Sequence, residues 1–411
     1  MDVLSPAHTI PAGLPQDNDA ITNRFRVTKL VGQGGFGCVY EAWDQLRKEH
    51  VAIKIEKPGG RKPVLKMETL VLRRLQGCSN HAVKFLKCGK WQGLDYLVMG
   101  LVDKTISYYR RIMQKFSSGT ASRLGMQVLE SIRDLHNVGF LHRDIKPSNF
   151  AFGFTPLTRQ IYMIDFGLSR QYCSFDQTHR KPRKVAGFCG TFKYCSINTL
   201  RFEEQSRRDD LISSFYMIIE LFGVYLPWKR IFNYETVLQL KLCTSIPDLI
   251  SEQPKELTAF YQYVSLLEYD DRPDYDFLLG LMRTIMEQNG VDQDDAWDWE
   301  NLLPGAAEKL HEKRMLASTP PGPYFTHGYP RIRTGGCPTT GQPVPSPPFN
   351  ANPYITPWWN PFQVAGAGFP SQVPAPVPAK TVAPADPPVS VLKKTDTPPQ
   401  KEETESSVQE M

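Results

Sequence analysis

Asp144, Lys146 and Asn149 share one short polar run, Leu141-His142-Arg143-Asp144-Ile145-Lys146-Pro147-Ser148-Asn149-Phe150, with the acid and the amide five positions apart (149 − 144). Phosphoryl transfer from a nucleotide needs this set. A carboxylate orients the attacking hydroxyl and takes its proton, a cation sits beside the moving phosphoryl, and an amide oxygen helps hold a metal. The tripeptide His142-Arg143-Asp144 alone would say little; the longer string is far less common by chance.

Further residues of the right chemistry stand on either side. Gly32-Gln33-Gly34-Gly35-Phe36-Gly37 is a Gly-x-Gly-x-x-Gly turn, able to let backbone approach phosphates closely. The spacing also suits a dinucleotide-binding turn, but that should open a helix, whereas Cys38 to Ala42 reads as strand. Lys54 closes the apolar run Val51-Ala52-Ile53 and so calls for an anionic partner, either a nucleotide phosphate or a carboxylate. Glu68 can supply the carboxylate if it faces inward; the ordinary alternative is a solvated surface glutamate. Asp165, in Ile164-Asp165-Phe166-Gly167, follows a short strand and suits a Mg²⁺ that bridges nucleotide phosphates. Each signal is weak alone, and their order along the chain makes them strong together.

The elements that must hold these groups follow from hydrophobic period. Phe25 to Val31, Cys38 to Ala42, Val51 to Ile55 and Tyr96 to Met99 read as strands. A helix lies between, with Pro63 suited to its first turn, Gly77 to its end, and Leu65, Leu72 and Leu75 near one face. Helical patterns then dominate: Ala121 to Asn137, Asp210 to Gly223, Thr236 to Cys243, Glu256 to Leu267 and Tyr275 to Gln288. A small strand-rich lobe followed by a larger helical one is expected.

The 411 residues, 41% hydrophobic, suffice for a sizeable core, and a net charge of +5 is too mild to argue for nucleic acid or a membrane. The eight cysteines form no Cys-x-x-Cys pair, which speaks against a zinc site or a disulfide framework and for reduced thiols. Neither a signal-peptide pattern nor a bilayer-length apolar run is visible in the sequence. A soluble protein of the cytoplasm, with the nucleus as a second location, is expected. Residues 1–24 read as a flexible leader. From Ser318 onward the composition shifts, with 21 of the 34 prolines in 94 residues, and 301–411 reads as a linker and a disordered Pro-rich tail.

Taken in order, these motifs resemble the protein kinase superfamily. Gly190-Thr191-Phe192-Lys193-Tyr194-Cys195-Ser196-Ile197-Asn198, standing where Ala-Pro-Glu usually ends the activation segment, is similar to the casein kinase I group. Ser206-Arg207-Arg208-Asp209-Asp210-Leu211 and Leu226-Pro227-Trp228 point the same way. Val185 to Phe188, Leu65 to Glu68, His142 to Phe150 and Asp298-Trp299-Glu300 are similar to its tau-tubulin kinase branch. The resemblance covers roughly residues 25–300 and implies an α+β, bilobal protein-kinase fold, with an N-lobe of about 25–99 and a C-lobe of about 103–300.

That resemblance implies ATP and Mg²⁺ as cofactors and assigns roles. Asp144 would be the base, Lys146 would meet the γ-phosphate and Thr191 would brace both. Gly32, Gly34 and Gly37 would cover the phosphates, Lys54 would hold them with Glu68 behind it, and Asn149 and Asp165 would bind Mg²⁺. Val31, Val39, Ala52, Met99 and Leu101 would line the nucleotide pocket, and Asp210 would anchor the catalytic loop. The implied activity is transfer of phosphoryl groups to serine or threonine hydroxyls of proteins by a monomer, without an activation-loop phosphate. Arg183, Lys184 and Lys193, in a basic stretch that also holds Arg180, Lys181, Arg207 and Arg208, are candidates for receiving acidic or phosphorylated substrates; a plain solvated basic surface is the alternative. Cytoskeletal substrates, and a partner for the aromatic run Tyr354 to Phe362, are further expectations. A kinase-fold scaffold acting through its tail is the competing functional class.

Overall fold

The computed structural model describes residues 13–300, apart from Phe36, 58–63, 155–158 and 175–177. The leader's first residues, Pro63 and the Pro-rich tail lie outside the described residues.

The N-terminal part is a six-stranded antiparallel sheet in the order β1-β2-β3-β4-β6-β5. Its strands are β1 (Ala20–Ile21), β2 (Phe25–Gln33), β3 (Gly37–Asp44), β4 (Glu49–Glu56), β5 (Phe85–Trp91) and β6 (Leu94–Gly100), with helix α1 (Val64–Leu75) between β4 and β5. The period of two sorts the side chains onto two faces. Tyr40, Val51, Ile53, Ile55, Tyr96 and Val98 fill one small core with Phe25 and Val27. Ala52, Leu97 and Met99 face the other way and join the main core. Lys54 has the parity of Ala52, so it points toward α1 and away from the outer core.

On α1, Val64, Leu65, Glu68, Val71, Leu72 and Leu75 are buried, a stripe at helical spacing that contains one carboxylate. Leu65, Val71, Leu72 and Leu75 pack into the same cluster as Leu124, Leu129 and Leu135 of the helical lobe, so one core spans both lobes. Each such leucine adds about 1.5–3 kcal/mol of burial. The β5 edge strand has no fully buried residue, which is why hydrophobic period did not reveal it.

The helical part contains α2 (Ile106–Met113), α3 (Ser118–Asn137), α4 (Ile197–Leu200), α5 (Arg207–Leu221), α6 (Tyr234–Cys243), α7 (Ile246–Leu249), α8 (Lys255–Ser265) and α9 (Tyr275–Gln288). Short strands β7 (Phe140–Leu141), β8 (Phe150–Phe152), β9 (Ile161–Met163) and β10 (Arg170–Gln171) pair as β7·β10 and β8·β9. Helix α5 is buried over most of its length. At Gly125 on α3, an added Cβ would stand 2.9 Å from the Met282 sulfur of α9, so the small residue sets how closely the two helices approach.

Ser117 caps α3, and Asp298 adds its carboxylate to the Ser117 amide (2.6 Å) and the Thr120 hydroxyl (2.7 Å), favourably placed at a helix N-terminus. Trp297 and Trp299 stack beside it, with Arg123 lying 3.9 Å over the Trp297 ring. The expected division into a β-rich lobe and a helical lobe is met. No helix among the described residues is long and apolar enough to cross a membrane.

Candidate active site

Lys54 and Glu68 meet where the inner face of β4 faces the apolar stripe of α1. The Lys54 ammonium lies 2.6 Å from Glu68 Oε2 and 2.8 Å from Asp165 Oδ1. Burial works against the Lys54 cation, and the two carboxylates more than reverse this, raising its pKa. Burial raises Glu68 despite the lysine, whereas at Asp165 the lysine outweighs burial and keeps the acid below its ordinary range. Glu68 is almost wholly enclosed; Asp165 is 42% exposed and can serve a ligand as well.

Asn149 and Asp165 are distant in sequence and adjacent in space because β8 and β9 form a hairpin. Phe150 pairs with Met163, and the Ile164 amide donates to the Asn149 carbonyl (2.9 Å). Asp165 follows directly, in a left-handed conformation (φ +66°) that a non-glycine residue adopts only under constraint. At Gly167 a Cβ would sit 2.5 Å from Val64 Cγ1 at the start of α1.

The catalytic loop hangs from α5. Asp210 accepts from the amides of His142 (2.7 Å) and Arg143 (2.8 Å) and pairs with His136 Nε2 (2.9 Å). Burial opposes its ionisation, and the His136 bond and the histidine charges more than compensate, holding its pKa low. This carboxylate stabilises Arg143 at φ +68°.

Asp144 is then fixed from two sides. Thr191 donates its hydroxyl to Oδ1 (2.6 Å), and the Lys146 ammonium lies 2.5 Å from Oδ2. Asn149 spends its amide NH₂ on the Asp144 carbonyl (2.8 Å), which leaves its oxygen for a cation.

The glycines divide by what requires them. A Cβ at Gly37 would lie 2.2 Å from the Ile55 carbonyl, so β4 itself demands glycine there. Among the described residues, a Cβ at Gly32 would meet nothing within 4 Å, one at Gly34 only a carbonyl at 4.0 Å, and neither has a positive φ. Neither glycine is demanded there by packing or backbone conformation among the described residues. A cleft edged by them next to Lys54, since Gly32 pairs with Val39 and Val39 with Lys54, and holding Asn149 and Asp165, has the donor set for a triphosphate with a divalent metal. Ala52 and Met99 are buried at its back, Val39 and Leu101 are half-buried and Val31 is exposed.

The three expected substrate-anion cations part company. Arg183 is engaged by the Glu204 carboxylate. Lys193 is not a free cation: it lies 2.5 and 2.6 Å from the Glu220 oxygens. Glu220 also receives Tyr194 (2.7 Å), Arg110 (3.1 Å) and Lys229 (3.1 Å). Burial, opposed by Glu220 and reinforced by Lys229 and Arg110, pulls Lys193 down to about 8. Lys184 remains exposed. Arg207 lies over the Tyr172 ring and Arg208 bonds the Leu267 carbonyl, so both serve packing.

Sequence reasoning missed Glu204 and Glu220. An acid in a basic neighbourhood is ambiguous until the fold shows which cations surround it.

The sequence profile of the protein kinase domain matches residues 25–283. The chain belongs to the protein kinase family. It is also similar to a probable serine/threonine-protein kinase of Dictyostelium discoideum, 38% identical over 283 residues that span 68% of this chain and 57% of that relative. The chain thus aligns with little more than half of that relative's length. The Lys54–Glu68 pair and the aspartate of Asp165-Phe166-Gly167 are assembled together.

Proposed function

We propose that this chain is a protein serine/threonine kinase that transfers the ATP γ-phosphoryl group to protein hydroxyls. The observation that carries the reading is the Asp144 carboxylate, held by Thr191 and Lys146 beside the Lys54–Glu68–Asp165 cluster.

The substrate hydroxyl oxygen forms the new bond to phosphorus, the bond from phosphorus to the β-phosphate oxygen breaks, and the hydroxyl proton passes to Asp144. Thr191 keeps the receiving carboxylate oriented. Lys146 moves from Asp144 toward the transferring group, and Lys54, fixed by Glu68, holds the remaining phosphates. Asn149 and Asp165 would hold Mg²⁺, which neutralises phosphate charge. Positioning and charge complementarity carry the rate. The test is phosphate incorporation into a serine peptide by wild type and Asp144→Asn. Equal incorporation removes the reading.

We assign the chain to the casein kinase I group and its tau-tubulin kinase-like branch. The support is Ser196-Ile197-Asn198, whose Ser196 hydroxyl donates to Asp209 (2.6 Å). This tie ends the activation segment without an Ala-Pro-Glu.

Acidic or already phosphorylated proteins are the preferred substrates in this reading. Three cations, Arg110, Lys193 and Lys229, share the single carboxylate of Glu220, so positive charge remains in excess there. Matched peptides with and without an upstream phosphoserine test it; equal kcat/KM values for the two would refute it.

A further inference from the structure

Arg170 and Arg183 lie on different parts of the segment that follows Asp-Phe-Gly, yet both reach one carboxylate. Arg170 Nε stands 3.3 Å from Glu204 Oε1, and Arg183 grips the same carboxylate with Nε and with Nη2, the latter at 2.9 Å. The Glu204 side chain is 3% exposed. Its ionisation is opposed by burial and overruled by the two arginines, leaving its pKa below the ordinary range. Arg143 of the catalytic loop adds a third positive charge close enough to act on Arg170.

Two activation-segment arginines on one anion, with Arg143 of the catalytic loop held nearby on the Leu168 carbonyl (2.8 Å), form the kind of site that a regulatory phosphate orders in switched kinases. Here the sequence from His179 to Gly190 contains no serine, threonine or tyrosine, so the stretch around Arg183 has no hydroxyl to phosphorylate. Ser169 and Tyr172 are buried; Ser174 and Thr178 lie on the far side of Arg180.

We propose that Glu204 is a built-in anion that takes the place of an activating phosphate, a positioning residue that keeps the activation segment in its working geometry. The inference rests on the kinase reading above and adds its regulation. Two neighbouring bonds act in the same sense: the Ala186 backbone amide donates to the Phe202 carbonyl (2.9 Å) and the Gln205 side-chain amide to the Cys189 carbonyl (2.9 Å). The run Phe202 to Gln205 thus fastens the segment just before Thr191, which holds Asp144. At the other end, Arg170 pairs with Leu141 across β10 and β7, immediately before the catalytic loop.

The experiment uses the full chain after phosphatase treatment. Wild type and the Ser174→Ala/Thr178→Ala double variant should be equally active. Glu204→Gln should lose at least about tenfold in kcat while KM for ATP stays within about twofold. Glu204→Asp should recover part of the loss. Glu204→Ala should be partly rescued by millimolar sulfate, which leaves wild type unchanged. Full kcat in Glu204→Gln overturns the inference, as does a loss confined to the unfolding midpoint. So does a loss that neither aspartate nor sulfate repairs. Asp144→Asn, run alongside, separates the two readings. If it matches wild type the kinase reading fails; if it is silent and Glu204→Gln is unimpaired, only the internal anion fails.

Discussion

The cluster proposed to face the nucleotide and the clusters on the proposed substrate side are built with opposite charge balances. On the first, the carboxylates of Glu68, Asp165 and Asp144 face the ammonium groups of Lys54 and Lys146. On the second, Glu220 alone faces Arg110, Lys193 and Lys229, and Glu204 faces Arg170 and Arg183. A site short of cations suits a metal, and a site short of anions suits a phosphate or an acidic chain. In the proposed reading the difference separates chemistry from selectivity: groups of the first kind would move protons and hold phosphates, the Glu220 cluster would meet the substrate, and the Glu204 cluster would hold the activation segment in place.

The most severe break of this contrast is Asp144→Asn. It removes the proton acceptor, and phosphate incorporation should fall by a factor on the order of 10²–10⁴, measured at saturating peptide. Next comes Lys54→Met. It should abolish most activity and also leave Glu68 buried without its cation, which costs about 3–5 kcal/mol in denaturant unfolding; unaltered stability would show that Glu68 is neutral in the fold.

A smaller effect sharpens the substrate side. Lys229→Ala should raise KM for a phosphoserine-primed peptide about tenfold and hardly touch an unprimed one. The primed preference of wild type should also fade as pH rises through about 8, where Lys193 discharges and the cluster loses a positive charge. A pH-independent preference would place the phosphate elsewhere.

The smallest expected effect concerns Lys241. Its ammonium is buried beside Tyr216 (4.5 Å) and Trp228 (5.1 Å) and lies 2.5 Å from the Cys195 carbonyl. Burial pulls it down to about 8 from an ordinary 10.5. Between those values the unfolded chain binds more protons than the folded one, so stability should rise with pH across that window. The rise should be smaller in Lys241→Met, read by urea unfolding at pH 7.5 and 10.

Much of the nucleotide side was legible because its chemistry demands particular residue types at fixed local spacing. Asp144, Lys146 and Asn149 share one loop, and the parity of β4 sends Lys54 inward with Ala52. Glu68 was recoverable as a carboxylate inside an apolar stripe. The substrate side was not legible in the same way. Arg183 and Lys193 look like free cations in sequence, and their neutralising acids, Glu204 and Glu220, become partners only through the fold. Edge strand β5 escaped for a related reason, since its side chains bury too little to leave a period.

Gly167 gives the nucleotide side one more property. Because only a hydrogen separates that turn from Val64, the helix carrying Glu68 and the turn carrying Asp165 mesh like two gears. An outward swing of α1 leaves a void at the turn, and a flipped turn strikes the helix. Loss of the Lys54–Glu68 pair should therefore tend to carry the Lys54–Asp165 pair with it, and compounds that wedge the turn should register as displacement of the helix.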